Sequence, residues 1–66
     1  MENYKYDIRY ISKECEEIAV VKLENLDCND VIKFVERTRL FFIVRGAVRA
    51  VVLDENLKLF TRVTFD

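Results

Sequence analysis

The chain contains no histidine, no proline and no tryptophan, and it has a single glycine, Gly46. Without histidine the commonest acid–base group and metal ligand is missing. Without proline there is no polyproline ligand, no cis-proline turn and no proline-rich linker. One glycine rules out a glycine-rich phosphate cradle. The two cysteines, Cys15 and Cys28, fit neither a zinc spacing nor a C-x-x-C redox pair and read as reduced thiols of a cytoplasmic protein. The formal net charge is −1, so a nucleic-acid binder would have to work through a local patch. No apolar stretch approaches the roughly 20 residues that cross a bilayer. The amino end, MENYKYDIRY, is polar and alternating, unlike a secretory leader. The chain starts with Met and reads as a complete small frame.

What is present is enough for a core. The chain has 66 residues, of which 52% are apolar, which points to one domain spanning residues 1–66. A chain of this size buries only about 60% of its unfolded surface, and self-association would relieve that shortage.

Tyr4, Tyr6, Ile8 and Tyr10 alternate with Lys5, Asp7 and Arg9, the period of a half-buried antiparallel strand. Ser12 to Glu16 reads as a turn and Glu17 to Leu23 as a second strand. Matching the apolar faces sets Tyr10 opposite Ile18, Ile8 opposite Val20 and Tyr6 opposite Lys22. A helix start follows. Asp27 is placed to cap, Leu26 and Val31 to staple, and Asp30 to meet the positive end of the helix dipole. Val31, Phe34, Val35 and Thr38 share one helical face, and the helix is expected to end near Arg39, with Arg37 and Arg39 in its last turn.

The run Leu40 to Leu53, LFFIVRGAVRAVVL, then reads as one long strand bent by a bulge at Gly46, or as two short ones joined there. Asp54-Glu55-Asn56 reads as a three-residue hairpin loop with Asn56 left-handed, and Leu57 to Phe65 as the last strand. Such a short loop sets Leu53 opposite Leu57 and brings Arg45 and Arg49 onto the face of Val63 and Phe65, a mismatch that a bulge or a longer loop would remove. The order strand-strand-helix-strand-strand defines an α+β fold, a four-stranded antiparallel sheet with one helix packed on one face.

Charge is uneven along the chain. Residues 1–32 hold four basic and eight acidic groups, residues 33–66 seven basic and four acidic. Cys28 at the helix start lacks a general base, Ser12 is the only serine, and the acidic group Glu14, Glu16 and Glu17 lacks the offsets and glycine of a calcium loop. No catalytic, metal or cofactor residue is expected, and no enzyme activity. Tyrosines on a sheet can stack bases, but alternation separates these rings from the neighbouring cations. The expected contact surface is the sheet face away from the helix: Val51, Leu53 and Phe60 beside Arg45, Arg49 and Arg62, an apolar patch rimmed by arginines. These features lead to a small protein-binding module, an inhibitor or adaptor like many phage and mobile-element accessory proteins. It is expected to be a homodimer that contacts itself or a host protein and no membrane. The alternative is a nucleic-acid binder using the arginine-rich second half.

Overall fold

A computed structural model describes residues 5–24 and 26–65. The order is β1 (Lys5–Ser12), β2 (Glu17–Glu24), α1 (Cys28–Val44), β3 (Ala47–Leu53) and β4 (Leu59–Thr64). The strands form one antiparallel sheet in the order β2-β1-β3-β4. This is the α+β architecture that the hydrophobic pattern implies, with the helix on one face. Tyr4 lies outside the described residues.

Alternation in β1 sends Tyr6, Ile8, Tyr10 and Ser12 inward. Opposite them, Ala50 and Val52 of β3 are fully buried, and Val63 of β4 packs against the same cluster. From above, α1 contributes Val31, Val35 and Phe42. Asp27 caps the helix as its position implies, its Oδ1 accepting the Asp30 N–H at 2.9 Å. Tyr10 ties the layers together. Its ring stacks on Phe42, and its hydroxyl lies 3.3 Å from Thr38 Oγ1. The Thr38 proton goes to the Phe34 carbonyl at 2.8 Å, so Thr38 oxygen accepts from Tyr10.

The long apolar run is not a strand throughout. Its first five residues, Leu40 to Val44, continue α1, and the expected helix end at Arg39 falls short by more than a turn. Leu, Phe and Ile tolerate a helix well enough for tertiary contact to decide, and Phe42 completes the Val31–Val35 stripe. Arg37 and Arg39 are therefore not in the last turn. Gly46 is neither a bulge nor a hairpin turn but the helix stop. At φ +103°, its N–H donates to Ile43 O at 2.9 Å, which satisfies a terminal carbonyl.

Two registers also differ from the sequence reading. In the first hairpin Tyr10 faces Ala19, Ile8 faces Val21 and Tyr6 faces Leu23. A bulge beside Tyr10 inserts Ile18 and exchanges the two faces of β2, so Ile18, Val20 and Lys22 lie on the bare side. In the second hairpin Leu53 faces Leu59, and the connection is longer than three residues. Asp54 organises it, Oδ1 accepting from Asn56 N at 2.9 Å and Lys58 N at 3.0 Å. Leu57, not Asn56, takes the left-handed conformation, at φ 62°. The longer loop shifts the register by two residues and keeps its parity; the bulge that inserts Phe60 removes the conflict, so that Arg49 pairs with Thr64 and Arg62 with Val51, on the face opposite Val63.

Candidate protein-binding face

The side of the sheet that α1 leaves bare carries the site. On β3, alternation with Ala50 and Val52 turns Arg49, Val51 and Leu53 outward. On β4 the same rule turns out Arg62 and Thr64, and a bulge at Phe60 brings Leu59 to the same face opposite Leu53. Together with Ile11 and Cys15 they line an open trough of about 780 Å³. Val51, Leu53, Leu59 and Ile11 supply its apolar lining, and among the described residues no carboxylate lines it. Arg62 sits directly across from Val51, and Arg49 is two pairs further along, so the two guanidinium groups lie on a diagonal rather than face to face. Arg49 Nη2 donates to Cys15 Sγ at 3.4 Å, which holds its guanidinium at the trough.

On β1 of the same face, Arg9 Nη1 pairs with Glu17 Oε2 at 3.4 Å, while Arg9 Nε is enclosed without an acceptor among the described residues. The neighbouring half of the face thus has its own internal charge pairing, whereas Arg49 and Arg62 take part in no ion pair with the described residues.

Four of the six residues expected at this surface, Arg49, Val51, Leu53 and Arg62, come together in the trough. Two do not. Arg45 is the C-cap of α1, where its Nη1 donates to Phe41 O at 3.0 Å and its guanidinium lies 3.6 Å from the centre of the Phe41 ring. It left the sheet when Leu40–Val44 joined the helix. Phe60 is the extra residue of a bulge in β4, and its ring meets Tyr6 at 5.4 Å on the helix-covered side. Leu59 takes the place expected for Phe60, a consequence of that bulge.

Sequence reasoning also missed a second apolar surface. Leu40, Phe41 and Val44 are exposed on α1, Val44 at 83%. Their i, i+1, i+4 spacing would have revealed it once the run was read as helical.

Tyr6 and Tyr10 are buried under the helix and are unavailable to stack bases. Among the described residues no three Cys, Asp or Glu side chains gather to hold a metal ion, and no helix is long and apolar enough to cross a membrane. Cys15 and Cys28 are both free thiols. Comparison with protein-family models, with curated proteins and with solved structures finds no match. Fold and trough together define an α+β sheet domain with one helix-covered face and one open face.

Proposed function

We propose that this chain is a non-enzymatic protein-binding module that acts as an inhibitor or adaptor, in the manner of phage and mobile-element accessory proteins. It works in the cytoplasm as a homodimer and takes its partner on the bare sheet face. One observation supports the reading: Arg49 and Arg62 border a trough floored by apolar side chains that no carboxylate of the described residues lines. A guanidinium presents forked donors suited to a carboxylate, and arginine beside buried apolar groups is the composition of binding hot spots. The partner surface that fits is apolar with two carboxylates, presented as an extended segment or a ridge. Such charges speed encounter, while the apolar contact slows release.

The test is capture from host lysate by the tagged chain, read by mass spectrometry, with Val51→Asp and Arg62→Glu as paired variants. Both side chains point away from the core, so circular dichroism should be unchanged while the captured protein is lost. Capture that both variants retain would sink the reading. Capture abolished by nuclease, with a steep loss between low and moderate salt, would move it to nucleic acid.

A further inference from the structure

The sheet has two edges, and the chain treats them differently. An open edge presents a row of unpaired backbone N–H and C=O groups, and proteins usually blunt it with short strands, bulges, proline, lysine or inward charge; of these side chains β2 carries one lysine, Lys22, on its outward face. β4 is blunted: it has six residues and carries the Leu59–Phe60 bulge. β2 is the longer edge, with eight residues and no proline or glycine. Its one irregularity lies at its first turn of chain, beside Ile18, and the stretch from Ala19 to Glu24 is regular. Its inward-facing residues, Ala19, Val21 and Leu23, are apolar and only half-buried, although they pack against the core. On the bare face Ile18 and Val20 are exposed at 39% and 43%.

We infer that β2 is the dimerisation edge: it pairs antiparallel with β2 of a second copy about a twofold axis at Val21, giving one continuous eight-stranded sheet. This rests on the homodimer part of the functional reading and adds where the copies meet. An axis perpendicular to the sheet keeps each face on its own side, so only residues of one face oppose each other. Two registers overlap nearly the whole strand. The one centred on Val20 sets Glu24 against the partner's Glu16. The one centred on Val21 opposes no like charges: Val20 meets the partner's Lys22, Ile18 the partner's Glu24, and Ala19 the partner's Leu23. Val21 meets its own copy. The half-buried inward row of β2 is then covered by its symmetry mate, and the hydrophobic layer runs through the junction. Each trough stays open at the far end of its half. At the usual strand separation of about 4.8 Å the two troughs lie about 30 Å apart, which suits an adaptor holding two copies of one target.

The register supplies the test. Val20→Lys sets lysine against the partner's Lys22 twice, and Val20→Glu sets glutamate there twice. Both replace the same exposed side chain, and equal thermal midpoints at low protein concentration confirm that each variant folds. Sedimentation velocity from micromolar to near-millimolar protein should show a wild-type dimer. Val20→Lys should weaken it by about tenfold and Val20→Glu should tighten it several-fold. Amide exchange along β2 should slow as protein concentration rises. A wild type monomeric at every concentration overturns the inference, as does equal weakening by both variants. So does loss of lysate capture in a Val20→Lys protein that never dimerises, which would give the edge to a foreign strand. Val51→Asp should leave sedimentation unchanged while abolishing capture, so failure of the trough and failure of the edge are read separately.

Discussion

Tyr10 and Phe42 stack almost face to face, ring centroids 3.6 Å apart and planes 11° from parallel. The pair joins the middle of the sheet to the last turns of the helix, the portion that the sequence pattern alone assigns to a strand. Phe42→Ala should cost about 3–5 kcal/mol by leaving a cavity over Tyr10, a large share of the roughly 5–15 kcal/mol of an ordinary domain. Tyr10→Phe keeps the stack and loses only the bond to Thr38, about 1 kcal/mol. Urea unfolding followed by circular dichroism separates the two, and equal midpoints for both variants would contradict the stacking role.

Backbone strain gives a prediction with opposite signs at two positions. Gly46 sits at φ +103°, and an added Cβ would meet nothing within 4 Å. Gly46→Ala should therefore destabilise through backbone conformation alone, by about 1–2 kcal/mol. Leu57 is left-handed at φ 62° with its side chain exposed. Leu57→Gly should stabilise by about 0.5–1 kcal/mol by relieving that strain. Thermal midpoints measured side by side check both signs.

The two buried tyrosines predict alkaline sensitivity. Burial pushes the Tyr10 phenol above its ordinary value of 10.0. Burial also raises Tyr6, and the Cys28 thiol and the carboxylates of Asp27, Asp54 and Glu55 add to it. With the folded-state values raised, the unfolded chain ionises first. The stability owed to the neutral phenols is complete below the ordinary value and is lost as pH climbs from there through the folded-state values. Urea midpoints should not vary from this cause in mildly alkaline buffer and should fall above about pH 10. Tyr10→Phe should make that fall shallower.

Phe60 separates stability from binding. Its ring belongs to the Tyr6 side of the sheet, so Phe60→Ala should lower stability by about 0.5–1.5 kcal/mol through the lost ring contact and leave lysate capture intact. Leu59→Asp, one residue away but on the trough, should do the reverse. Capture lost in Phe60→Ala with its fold intact would relocate the contact surface to the helix side.

The parts of the fold legible in the sequence are those governed by local period and local caps. Tyr6, Ile8 and Tyr10 repeat every second residue, and Asp27 stands three positions before the N–H it caps. The helix end was not legible because Leu40 to Val44 suits a strand as well as a helix, and the choice is made by Phe42 meeting Tyr10, a contact distant in sequence. The registers of both hairpins were hidden for a related reason. One bulge, at Ile18 in β2 or at Phe60 in β4, exchanges the two faces of a strand, and no composition signal marks either. Arg49, Val51, Leu53 and Arg62 still reached the expected face because the alternation of β3 and β4 holds beyond those irregularities. Arg45 and Phe60 sat next to the irregularities and moved with them.

The helical state of Leu40–Val44 has a bearing on solubility. LFFIV is five consecutive apolar residues without charge, the composition that stacks into cross-β fibrils when extended and bare. Coiled, the segment spends its amides on intrahelical bonds and offers no template to a neighbouring molecule. The turn at Gly46 thus acts as a gatekeeper, and loosening it should shorten the lag before fibrils form well before most of the protein has unfolded.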